Sequence, residues 1–139
     1  MIPSVFVDTA ALIAPLNPRD VLQGQALHVL RSLRRQKSPL VTTEFVLLEV
    51  ADAFSAPAVR ARTGSFIEGL RSEPDVRIIP VEPGLFAAGW TLHGQRPDKE
   101  WGLTDCISFV VMTRESIVPA FTSDHHFEQA GFVKLLAAS

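Results

Sequence analysis

Asp105 heads the segment LTDCISFVVM, residues 103–112, and the positions four and seven residues on are Phe109 and Met112. On a helix these residues share one face, so the carboxylate sits on the side expected to be buried. A buried acid needs a partner. No Lys or Arg stands at a matching position, but three more acids occur in similar settings. Asp8 directly follows the β-branched and aromatic run SVFV, and Asp124 closes FTSD. Glu49 lies in TTEFVLLEVADAF with Phe45 four residues before it and Ala53 four after, which aims it inward as well.

If Asp8, Glu49, Asp105 and Asp124 converge, each carboxylate pair about 4 Å apart repels by roughly 4 kcal/mol at an effective dielectric near 20. Protons or divalent cations must then neutralise the cluster. Oxygen ligands with no Cys or His among them select hard ions, Mg²⁺ or Mn²⁺. Such an ion keeps waters and open faces toward phosphate oxygens, which suits phosphodiester hydrolysis better than a structural metal. The hydroxyls of Thr9, Thr104 and Ser123 stand close in sequence to the acids and are candidates to orient water or carboxylates.

Each acid also has a purely structural role open to it. Asp8 and Asp124 can cap helices or turns, Asp105 can favour the first turn of its helix, and Glu49 can rotate to a helix edge. It is the set of four that separate accidents explain poorly. Other chemistries lack their motifs: there is no GxxxxGK[ST] loop, no GxGxxG after a strand, and Ala10 stands where an aspartyl-phosphate phosphatase carries its second Asp. Adjacent His125 and His126 need not face the same way, so one is expected to pack or cap and the other to meet solvent. Cys106 reads as a buried, inert thiol, and Trp90, Trp101 and the nine Phe as mostly core.

The elements that must position these groups alternate. Strands are expected at SVFV, PLVTT, VRIIPV and IVPAFTS. Between them the spacing predicts helices over TAALIA, VLQGQALHVLRSLRRQK, EFVLLEVADAF, PAVRARTGSFIEGLRS, GLFAAGWTLHGQ and the segment from Thr104, with a polar loop RPDKEWG and a short terminal FVKLL. Strand–helix alternation implies a three-layer α/β/α domain with a central parallel sheet, one unit over residues 1–139. In such folds ligands bind beyond the carboxyl ends of the strands, where Asp8 and Asp124 both belong.

The composition agrees with a globular chain: 47% hydrophobic, 20% charged, net charge −2. A near-neutral total does not advertise a nucleic-acid binder, yet it averages over a surface that can hold an acidic site with a basic rim. One cysteine allows no internal disulfide, no Cys/His spacing suggests zinc, and the N-terminal apolar run lacks a basic flank and carries Asp8. A cytoplasmic location without membrane contact follows as the expectation. The basic run RSLRRQK reads as a solvated helix end complementing the dipole.

The blocks VFVDTAAL, LVTTEFVLLEV, DKEWGLTDCISFVVM and AFTSDHHFEQAGF, in that order, resemble the PIN-domain ribonucleases, especially the VapC-like toxins of toxin–antitoxin pairs. Carried over by motif, the family's acidic metal site falls on Asp8, Glu49, Asp105 and Asp124. The resemblance implies Mg²⁺- or Mn²⁺-dependent cleavage of single-stranded or looped RNA, tRNA or rRNA among them, leaving a 5′-phosphate and a 3′-hydroxyl. It also implies a homodimer and a small antitoxin partner. Ala10 and Gly102 depart from the family's frequent Ser or Asn and Ser, which touches surrounding water rather than the ligands. Arg96 and Lys99 are candidates for RNA contact, with Arg31, Arg34, Arg35 and Lys37 as alternatives. A housekeeping RNA-processing nuclease and a catalytically silent metal-binding module are the competing functions.

Overall fold

A computed structural model describes residues 2–137. Five parallel strands form one sheet in the order β3-β2-β1-β4-β5. The strands are β1 (Val5–Val7), β2 (Leu40–Thr43), β3 (Val76–Ile79), β4 (Pro119–Phe121) and β5 (Val133–Lys134). The helices are α1 (Thr9–Leu16), α2 (Gln23–Arg35), α3 (Glu44–Ala53), α4 (Pro57–Ser72), α5 (Pro83–Gln95), α6 (Leu103–Arg114) and α7 (His125–Gln129). This is the expected α/β arrangement with a central parallel sheet. β1 and β2 are buried at every residue because helices cover both faces, which explains their unbroken apolar or hydroxyl-bearing runs.

The structure adds two elements to the expected set. The terminal FVKLL segment contains β5, which extends the sheet beyond β4, and α7 starts directly at His125. Gly131, with φ of +96°, ends α7: its N–H donates to Glu128 O and the Phe132 N–H donates to Phe127 O. This is the left-handed helix stop that glycine makes cheap, and it turns the chain into β5.

The chain runs from β1 outward to β2 and β3, then returns to the other flank of β1 for β4 and β5. The direction of winding therefore reverses between β1 and β4, and a crevice opens there beyond their carboxyl ends. Phe6 pairs with Ala120 and Val7 with Phe121, and the Asp8 N–H donates to Phe121 O at 3.2 Å. Asp8 is thus tied directly to β4.

An aromatic series holds the elements around that crevice. Trp101 meets Phe109 edge-on at 5.0 Å between ring centroids, Phe109 meets Phe127 edge-on at 4.9 Å, and Phe127 lies 6.4 Å from Phe6. Trp101 also donates from Nε1 to Gln129 Oε1 at 2.9 Å. These contacts fix the start of α6 against α7 and β1. Trp101 is core as expected, but Trp90 is 60% exposed and Phe86 46% exposed, one turn apart on α5. Gly89 and Leu85 hold the inward side of α5, so Trp90, immediately beside Gly89, is turned outward. The basic end of α2 is solvated as expected, with Arg34 paired to Glu73 at 2.6 Å.

Candidate functional site

Asp8 occupies the residue before α1, yet its side chain makes no capping bond. It is 4% exposed and accepts a hydrogen bond from Thr122 Oγ1 at 2.7 Å. Burial pushes the Asp8 carboxyl up to about 7; bonds from Thr122 and the Thr9 backbone oppose that rise, and the charges of Asp105 and Asp124 add to it. Asp8 therefore lies within electrostatic reach of both Asp105 and Asp124.

Asp105 lies in the first turn of α6, where its Oδ2 accepts the Gly102 N–H at 3.2 Å. The face argument from Phe109 and Met112 holds: both are buried, and the Asp105 side chain is 18% exposed. Its carboxyl is raised by burial first and by Asp124 second, against lowering contributions from the Gly102 N–H and His126. Asp124 caps α7, accepting the His126 N–H on Oδ1 at 2.9 Å. Both acids therefore fill the structural role open to them, each with one oxygen. Asp105 Oδ1 and Asp124 Oδ2 have no protein donor among the described residues.

Glu49 departs from its expected inward aim. Val46, Leu47 and Val50 take the buried stripe of α3 while Ala53 is exposed, so Glu49 stands at the border of that stripe in solvent. Its carboxylate nevertheless turns back: Glu49 Oε1 accepts from Thr9 Oγ1 at 2.6 Å, beside Asp8. Of the three expected hydroxyls, Thr9 thus joins the acids. Thr104 and Ser123 make no side-chain hydrogen bond to them among the described residues.

Two residues missed by the sequence argument lie against the acids. Thr122, fully buried, donates to Asp8 and accepts the Asp124 N–H at 3.1 Å, so one hydroxyl joins two of the four candidate acids. A signal existed in FTSD, where Thr122 sits two residues before Asp124, but Ser123 is equally polar and nearer. His126 is the second. Its Nδ1 lies 3.2 Å from Asp105 Oδ2 and 3.4 Å from Asp124 Oδ1. His125 meets solvent, so one histidine packs and one is exposed, but the packed one bridges two acids.

At the rim, Arg96 is held by Asp98 through two contacts of 3.0 Å and lies 5.0 Å over the Trp101 ring. Lys99 is half-buried and makes no ion pair among the described residues. Cys106 is buried, and burial pushes its thiol up, with Asp105 adding to the rise; it is the inert thiol expected.

The donor set fits a hard divalent ion. Asp105 Oδ1 and Asp124 Oδ2 are free to ligate, and a cation would offset the burial and the neighbouring negative charge that together raise Asp8 and Asp105. No helix among the described residues is long and apolar enough to cross a membrane.

Known proteins resemble this chain in sequence and fold. The chain is 28% identical over 131 residues to the 23S rRNA-specific endonuclease VapC20 of Mycobacterium tuberculosis, covering 94% of this chain and 97% of that one. The crystal structure of that VapC20, described as a sarcin–ricin loop cleaving toxin, superposes with a TM-score of 0.79 at 27% identity over 93% of this chain and 96% of the other. VapBC2 of Rickettsia felis bound to a promoter DNA fragment shares the fold, with a TM-score of 0.70 at 13% identity over 94% and 96% of the two chains. FitAcB of Neisseria gonorrhoeae does likewise, at 0.67 and 18% over 94% and 95%. The sequence profile of the PIN domain matches residues 5–133, and with it the chain belongs to the PIN domain family.

Proposed function

We propose that this protein is a metal-dependent endoribonuclease and the toxin of a toxin–antitoxin pair, acting in the cytoplasm on single-stranded or looped RNA. The observation that carries the reading is the gathering of Asp8, Asp105 and Asp124 at the β1/β4 crevice, close enough that the neighbouring charges add to the rise that burial gives Asp8 and Asp105, in a PIN-family chain. Glu49, poised by Thr9, completes the set. These four residues would hold Mg²⁺ or Mn²⁺. When bound, such an ion lowers the pKa of an attacking water and balances charge on the phosphoryl oxygens.

The protein's own residues set the geometry. Thr122 holds Asp8 and the Asp124 backbone in a fixed relation, the Gly102 N–H holds Asp105, and the aromatic series keeps α6 and α7 from separating. Lys99 and Arg96 lie on the loop that leads to Asp105 and supply charge for phosphates, with Trp101 and Arg96 already stacked. The products are a 5′-phosphate and a 3′-hydroxyl. Ribosomal RNA is the first substrate to try, because VapC20 is a 23S rRNA-specific endonuclease. A small antitoxin partner and a homodimer complete the proposal; the solved relatives include a VapBC complex.

The test is cleavage of rRNA and tRNA by the partner-free protein with Mg²⁺ or Mn²⁺ against EDTA, beside Asp105→Asn. Discrete fragments that require both the ion and Asp105 are expected. Ion binding without cleavage of either RNA class would make the protein a silent module. Cleavage without growth arrest on induced expression would make it a processing nuclease.

A further inference from the structure

The tightest group of metal-type donors among the described residues is not made of carboxylates alone. Asp124, His125 and His126 each offer one donor atom, and these lie within 4.8 Å of one another. From Asp124 Oδ1 the distance is 3.4 Å to His126 Nδ1 and 3.8 Å to His125 Nδ1. Tetrahedral zinc with ligands at about 2.0–2.2 Å separates its donors by roughly 3.3–3.5 Å. Of the three donor pairs, Asp124–His126 already meets that spacing, Asp124–His125 misses it by a few tenths of an ångström, and the two histidine donors lie within 4.8 Å of each other. The His125 side chain is 66% exposed, with its ring 4.5 Å from that of His126, whereas the His126 side chain is 18% exposed and lies 3.2 Å from Asp105.

We propose that Asp124, His125 and His126 form a second binding mode in this site, for a borderline divalent ion of the zinc class. Imidazole nitrogens favour such ions over Mg²⁺, whose preferred ligands are oxygens. Three protein ligands leave the fourth corner to water, the pattern of an open zinc site. The cation at the start of α7 meets little opposition from the helix end, because the His126 N–H is already taken by Asp124 Oδ1.

Occupancy has a consequence for Asp105. An Nδ1 that gives its lone pair to a metal carries no proton, so His126 cannot at the same moment donate from that atom to Asp105 Oδ2. Binding therefore releases Asp105. It also withdraws Asp124 from the four-carboxylate set, so the zinc-class ion competes with the hard ion and acts as an inhibitor. The competition rests on the proposed nuclease site, while the binding itself does not.

Cobalt(II) serves as the probe, because four-coordinate nitrogen-ligated Co²⁺ absorbs visible light far more strongly than six-coordinate Co²⁺ on oxygens. The full-length protein is expected to bind one Co²⁺ with intense visible absorption, which Zn²⁺ abolishes by displacement. His125→Ala should lose that absorption and weaken zinc binding about tenfold or more, equivalent to about 1.4 kcal/mol, with Mg²⁺-dependent cleavage and melting temperature unchanged. His125→Cys should restore binding and add thiolate-to-cobalt charge transfer. Zinc titrations identical for wild type and His125→Ala would overturn the proposal, as would only weak, six-coordinate Co²⁺ absorption by the wild type. His125-dependent zinc binding in a protein that cleaves no RNA would leave this inference standing and remove the nuclease; cleavage with His125-independent zinc binding would do the reverse.

Discussion

Burial gives Asp8 a proton affinity suited to release on metal binding, and it gives the metal-free protein a distinctive pH dependence. The unfolded chain ionises Asp8 near its ordinary value of 3.8, the folded protein only near about 7. The folded state therefore binds more protons between those values, so the stability Asp8 contributes is fully present below about 4 and lost as pH rises through about 7. That loss is at most about 4 kcal/mol. In EDTA, the melting temperature is expected to fall between pH 5 and pH 8, and Asp8→Asn, which cannot ionise, should melt higher than wild type at pH 8 while losing all metal-dependent cleavage. A flat wild-type profile over that range would contradict the burial argument. Thr122 is the other residue whose worth can be read directly. Thr122→Val keeps the shape but removes the donor to Asp8 and the acceptor for the Asp124 N–H. Denaturant titration should show a loss of about 1–3 kcal/mol, and ion titration a weakening of roughly 10–100-fold.

At the scale of elements, α6 carries Asp105 and is held in place by α5. The contact runs through Gly89: a Cβ there would lie 2.3 Å from Ile107 Cγ1 and 3.2 Å from Ile107 Cα, and Ile107 is itself 1% exposed. Gly89→Ala is therefore expected to cost about 1–3 kcal/mol by overpacking and to reduce cleavage through displacement of Asp105. Gly64, in α4, has nothing within 4 Å of such a Cβ. Gly64→Ala should stabilise by about 0.5–1 kcal/mol, and equal effects of the two changes in thermal melts would refute the close-packing account. Elements were readable from sequence where a periodic apolar pattern ran long enough, as in α6 with Phe109 and Met112. They were not readable for α7 and β5, at five and two residues, because so short a stretch holds no period. Glu49 failed for a related reason: Phe45 and Ala53 suggested a stripe, but Val46, Leu47 and Val50 make the stronger one, and the helix rotates to bury it.

At the scale of the whole molecule, the exposed pair Phe86 and Trp90 on α5 bears on the proposed homodimer, since large apolar side chains one turn apart in solvent are uncommon on a monomer's surface. Sedimentation of the partner-free protein is expected to give twice the 15.2 kDa chain mass; a monomer at micromolar concentration would remove that part of the proposal. The recess lined by Arg77, Leu85 and Arg114 adjoins the carboxyl end of α6, the end away from Asp105, and receives no catalytic role: of the two carboxylates that line it, Glu82 and Glu115, the second is paired with Arg77 at 2.7 Å. By itself the sequence determined the strand–helix alternation and the parallel sheet and singled out four acids as candidates, because periodicity and the placement of charges beside apolar runs are local properties. Only the tertiary structure decided that winding reverses between β1 and β4, that Thr122 joins Asp8 to the Asp124 backbone, and that His126 stands between Asp105 and Asp124. Those relations join residues up to 114 positions apart, and their distances arise from strand register and helix packing rather than from any spacing along the chain.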